Sequence, residues 1–131
     1  MRSEKVKRGI LVNQKIDSLF SQFVTKRHGS LRGYSQEVEN AMMLEMARWN
    51  YNPLNELEML KRNGVSFPVL QSLRQSVTRT VRIDKRLDLA FKSFVMLAYG
   101  RVWRAYSSAV QNGMVLLMLL YRFELLDTFW T

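Results

Sequence analysis

The chain has 131 residues, 47% of them hydrophobic, enough for one domain that buries about two-thirds of its unfolded surface, which excludes a disordered basic tail. Twenty lysines and arginines against 11 acids leave a net charge of +9, which points to a polyanionic partner. No cysteine is present, so disulfides and thiolate metal sites are excluded.

Residues 5–12 alternate as a strand does, with Arg8, Ile10 and Val12 on one face and Lys7, Gly9 and Leu11 on the other. Asn13 is placed to cap a helix over residues 14–26, whose stripe is Ile16, Leu19, Phe20, Phe23 and Val24. Gly29 stops it. Lys26, Arg27 and His28 fill its last turn, where cations suit the helix dipole, and a solvent role is expected for the lone histidine. After a loop over residues 30–34, Ser35 is expected to cap a second helix. Glu37 and Glu39 lie in its first turns, and Val38, Met42, Met46 and Trp49 form its buried face. Asn52 and Pro53 then open a linker, residues 51–76, containing a short helix through Leu54, Leu57, Met59 and Leu60 and a further turn near Phe67 and Leu70. A connection that long is expected to pack against the rest.

The chain then begins again. Thr78, Thr80 and Arg82 alternate with Arg79, Val81 and Ile83; Asp84 caps a helix over residues 85–99; Gly100 takes the place of Gly29. A last helix is expected from Ser107 to about residue 123. Where the earlier copy has Glu39, Glu45 and Arg48, this one has Gln111, Leu117 and Leu120. A helix so apolar needs cover all round, from the linker helix or from another copy of the chain.

Residues 1–50 and 77–131 are thus read as two copies of one unit. Val6, Arg8, Asp17, Phe20, Phe23, Val24 and Gly29 recur 71 positions later, and after a one-residue adjustment Arg32, Tyr34, Ser35, Val38, Asn40, Met42, Leu44 and Met46 recur as well. Fifteen identities fall in about 44 aligned pairs, where ordinary composition gives about three. Residues 1–34 and 67–112 each hold eight bases and two acids, so the positive charge sits in the front half of each copy. Each copy supplies one strand, too short to stand alone. The economical fold is mainly α with a two-stranded antiparallel β-ribbon, its Ile10, Val12, Val81 and Ile83 face resting on four helices.

Strand, Asn or Asp cap, helix, Gly and serine-led helix, met twice, resemble the ribbon-helix-helix family of the MetJ, Arc and CopG repressors over about 44 residues of each copy. That resemblance implies a tandem ribbon-helix-helix pseudo-dimer in one chain, because members of the family pair two chains to make one ribbon. It also implies a sequence-specific transcription regulator of double-stranded DNA working without cofactor, and the likeness to a tandem single-chain form of the family from an archaeal virus implies a place on DNA in the host cytoplasm. The ribbon would enter the major groove, with Lys7, Gly9, Leu11, Thr78, Thr80 and Arg82 toward base edges and Arg82 bidentate to a guanine. Gly9 and Leu11 lack the polar side chains usual in the family, so an asymmetric site read mostly by the second strand is expected.

Arg32, Ser35, Arg104 and Ser107, near helix N-termini, would hold the DNA backbone, although capping alone also accounts for the serines. Arg8, Arg79, Lys85, Arg86 and Arg101 read as diffuse contributors to DNA affinity. An apolar tail, Phe123, Leu125, Leu126, Phe129 and Trp130, suits self-association and cooperative binding. It suits equally a viral structural or partner-binding protein that uses the same fold as a scaffold.

Enzymatic readings find little support. Gly29 and Gly33 lack the Lys-Ser/Thr of a phosphate loop, and Glu37, Glu39 and Glu45 lack the Glu-x-x-His spacing of diiron bundles. The longest apolar run, residues 114–121, is far short of a membrane span, and the N-terminus does not read as a secretory signal, so an intracellular protein is expected.

Overall fold

Alternation carries two segments of the chain into one ribbon. Strand β1, Lys5–Asn13, and strand β2, Ser76–Asp84, pair antiparallel with Gly9 opposite Thr80, Lys7 opposite Arg82 and Leu11 opposite Thr78. This computed structural model describes residues 4–49 and 75–121. The predicted linker helix and turn, and the apolar tail past residue 121, lie outside the described residues.

Each strand runs straight into a helix through the predicted cap. The Asn13 side chain accepts from the amides of Lys15 and Ile16 at the start of helix α1, Gln14–His28, and Asp84 does the same for Arg86 and Leu87 at the start of α3, Lys85–Tyr99. Both helices end on a left-handed glycine, Gly29 and Gly100, each at φ 77°, which a side chain would strain. Helix α2, Tyr34–Arg48, follows a 3-10 turn at Leu31–Gly33, and α4 spans Ala105–Leu120. Strand, helix, helix therefore occurs twice in the same order.

The inner ribbon face supplies Ile10, Val12, Val81 and Ile83, none more than 1% exposed, and it packs on Phe20, Phe91, Phe94, Met42 and Met114. Helices α2 and α4 lie against each other at the centre, where Ala41 meets Gly113 so closely that the two backbones touch. Among the described residues it is α2 that packs most on the apolar α4, rather than the linker helix or second copy expected to cover it, and Leu120 at its end stays 63% exposed. No described helix is long and apolar enough to cross a membrane.

The serines do not act as predicted. Helix α2 begins at Tyr34 and α4 at Ala105, neither with a side-chain cap, so Ser35 and Ser107 lie inside the first turns. Their hydroxyls serve the ribbon instead. Ser107 accepts the Leu11 amide and Ser35 the Arg82 amide, each at 3.0 Å. One turn further, Gln111 Oε1 accepts the Asn13 amide at 2.7 Å and Glu39 Oε2 the Asp84 amide at 2.6 Å. Each copy's second helix thus covers the free edge of the other copy's strand. A lone two-stranded ribbon would otherwise offer both edges to any passing strand.

Candidate nucleic-acid interface

With the inner face committed to the core, period-two geometry sends the six predicted residues to the other side. Lys7, Gly9, Thr78, Thr80 and Arg82 are exposed and Leu11 is half-buried, all on one outer face. Because the amides of Leu11 and Arg82 bond to serines rather than across the ribbon, the outer-face pairs are of the non-hydrogen-bonded kind, with Cα atoms about 4.5 Å apart. Side chains in such pairs stand close together. Lys7 and Arg82, opposite each other, make no side-chain ion pair or hydrogen bond among the described residues.

The register alters the expected asymmetry. Gly9 and Thr80 hold equivalent places in the two copies and pair with each other, so the approximate two-fold axis passes between them. One end of the outer face therefore carries Lys7 with Arg82, and the other carries Leu11 with Thr78. The difference runs along the ribbon rather than from one strand to the other.

Arg8 and Arg79, read from sequence as diffuse DNA contacts, are structural. They lie on the inner face among Ile10 and Val81, where a bare guanidinium would be costly, and each forks onto a buried carboxylate of the opposite copy. Arg8 Nε and Nη2 donate to the two oxygens of Asp88 at 2.9 and 2.7 Å, and Arg79 donates to Asp17 at 2.8 and 2.7 Å. The Tyr106 and Tyr34 hydroxyls complete the pairs, each donating at 2.7 Å. Each arginine also lies over the ring of the same tyrosine, at 5.7 Å for Arg8 and 5.2 Å for Arg79. Burial would raise the Asp88 carboxyl, but the fork from Arg8, the Tyr106 hydroxyl and the charges of Arg8 and Lys92 outweigh it and hold the group below its ordinary value. Burial, then the bond to the carboxylate, pushes both tyrosines far up. Arg8, Asp17 and Tyr34 and their counterparts are identical in both copies, and that coincidence was the available signal for the struts.

His28 has a partner that the sequence did not indicate. Its Nε2 lies 2.7 Å from Glu37 Oε2, which Arg27 Nε also approaches at 2.7 Å, so the histidine, exposed at the helix end as expected, is also tied to a buried carboxylate. Glu37 itself is 1% exposed. Burial would raise it, but the hydrogen bonds from Arg27, Asn40 and His28 hold it below its ordinary value. On α2 a second buried carboxylate, Glu45, takes a two-point fork from Arg48 and a bond from the Tyr99 hydroxyl at 3.0 Å. These groups fix helices to one another and lie away from the outer face.

At the ribbon's two ends stand the predicted backbone contacts. Arg32 and Arg104 are exposed, and Arg104 lies over the Trp103 ring at 5.0 Å. Ser35 and Ser107 stand beside them with hydroxyls engaged at the strand edges, and Ser107 is buried. Arg86 and Arg101 are exposed, while Lys85 reaches Glu4 at 3.4 Å. At the Leu11 end a depression of about 350 Å³ opens between Gly9, Leu11, Lys92, Trp103 and Arg104. Trp103, 72% exposed at its rim, was missed by sequence reasoning, because it stands in a loop where no periodicity places it. Arg104 has φ 63°, uncommon outside glycine, where the second loop carries one residue more than the first.

Among the described residues, no group of three or more histidines and carboxylates could hold a metal ion. No protein-family model, curated protein or solved structure matches the chain.

Proposed function

We propose that the chain is a tandem ribbon-helix-helix pseudo-dimer that inserts its outer ribbon face into the major groove of double-stranded DNA and regulates transcription. The observation that carries this reading is the Lys7 and Arg82 pair. Like charges directly across a ribbon are destabilising, and among the described residues these two are held together without a counter-charge, with Thr78 and Thr80 on the same face and Arg104 beside its other end. A polyanion whose groove presents acceptors relieves that repulsion, and a net charge of +9 supplies the long-range attraction. A two-stranded ribbon is also one of the few elements that the major groove admits.

Two variants test it. Arg82→Ala removes a guanidinium that makes no hydrogen bond or ion pair among the described residues, and is expected to cost about 1–3 kcal/mol on a selected site and little on random duplex. Arg32→Ala is expected to weaken both alike and to lower the slope of log affinity against log salt by about one. Fluorescence anisotropy over a salt series reads both, and equal losses on both duplexes with Arg82→Ala would sink base reading.

A second reading, a scaffold or partner-binding protein, draws support from the exposed Met43, Leu89, Met96 and Trp103. Footprinting on promoter against random DNA separates the two.

A further inference from the structure

Resting on the DNA reading above, we infer that the chain recognises an operator with two chemically unlike halves, one read by cations and the other by methyl groups, although its fold is nearly two-fold. A symmetric ribbon reads a palindrome because equivalent side chains meet equivalent base pairs on either side of the axis. Here the axis passes through Gly9 and Thr80, and the pairs on its two sides have nothing in common. On one side Lys7 and Arg82 present ammonium and guanidinium donors, which fit the N7 and O6 acceptors of guanine. On the other side Leu11 and Thr78 present an isobutyl group and a hydroxyl-bearing carbon with its methyl. Leu11 has no donor at all, and its natural counterpart in the groove is the C5 methyl of thymine.

The flanks each carry a serine and an arginine and differ by Trp103. Beside the cationic end the edge of β2 is held by Ser35, with Arg32 in the turn before it; beside the apolar end the edge of β1 is held by Ser107, with Trp103 and Arg104 in the preceding loop. There the depression between Leu11 and Trp103 continues the apolar surface away from the ribbon, with Lys92 and Arg104 also in its lining. At the centre the glycine leaves only Thr80 to project, so the base pairs under the axis are read weakly and the two halves act independently.

Selection of binding sites from a random duplex library with the full chain tests the inference. The expected motif is non-palindromic, with guanine fixed in one half, thymine fixed in the other and a tolerant centre. Replacing that guanine by 7-deazaguanine should reduce affinity roughly five- to hundredfold, and Arg82→Ala should abolish the difference. Replacing the thymine by deoxyuridine, which removes only the methyl, should reduce affinity several-fold in the native chain and not in Leu11→Ala. A palindromic motif, or preferences that ignore Arg82 and Leu11, would overturn the unlike halves while leaving base reading in place. No enrichment of any sequence would instead overturn the DNA reading on which they rest.

Discussion

Asp88→Ala is expected to lower the unfolding free energy by about 3 kcal/mol, near the lower limit for breaking a buried ion pair, because Arg8 keeps a third of its side-chain surface in solvent. The loss comes mainly from what is left behind. Without Asp88, the Arg8 guanidinium and the Tyr106 hydroxyl remain against the ribbon's apolar face with nothing to receive their protons. Replacing both partners, Arg8→Met with Asp88→Leu, should therefore recover much of the loss, since apolar groups of similar volume need no partner. Acid supplies an independent measure. Asp88 is held below its ordinary value in the folded chain, so unfolding takes up a proton, and the stabilisation is complete above about pH 4 and drains away as pH falls through the folded value. Denaturant titrations between pH 6 and pH 2 should show that loss in the native chain and a shallower one in Asp88→Ala. A variant within 1 kcal/mol of native at neutral pH would mean that the strut contributes nothing.

The struts also show where sequence reading stops. Ribbon, caps and helix stops were legible because each rests on local chemistry: alternation for the strands, Asn13 and Asp84 before a helical stripe, glycine where φ must be positive. Pairing the two strands followed from the repeat, since neither could stand alone. What alternation could not tell was whether an arginine on the inner face lies exposed at its edge or meets a carboxylate 80 residues away, so Arg8 was assigned to DNA. Ser35 and Ser107 were misread for a related reason. A serine before an amphipathic stretch has the local signature of a cap, and only the neighbouring strand edge, distant in sequence, shows that the hydroxyl is claimed elsewhere. The six outer-face residues were named correctly as a set, but the register decides which are neighbours. Paired by strand they looked like one reading strand and one idle one; paired across the ribbon they form a cationic end and an apolar end.

Gly113→Ala sets two effects of opposite sign against each other, and their magnitudes decide the outcome. Helix propensity alone favours the alanine by about 1 kcal/mol in the middle of α4. At this position, however, the new Cβ would stand 2.7 Å from the Ala41 carbonyl carbon and closer still to its oxygen, both atoms of the α2 backbone that no rotamer change can move. The helices must separate, and overpacking of that kind costs about 3 kcal/mol, so a net loss of about 2 kcal/mol is expected in denaturant unfolding. Gly9→Ala provides the contrast, because its Cβ would meet only the Thr78 methyl at an ordinary 3.6 Å, and near-native stability is expected. The damage at Gly113 should reach the ribbon as well. Ser35 and Glu39 on α2 and Ser107 and Gln111 on α4 hold the two strand edges, so helices forced apart loosen the amides of Leu11, Asn13, Arg82 and Asp84. Hydrogen exchange at those four amides should speed up in Gly113→Ala and stay at native rates in Gly9→Ala. Unchanged protection in both would mean that the ribbon keeps its edges without the helix contact.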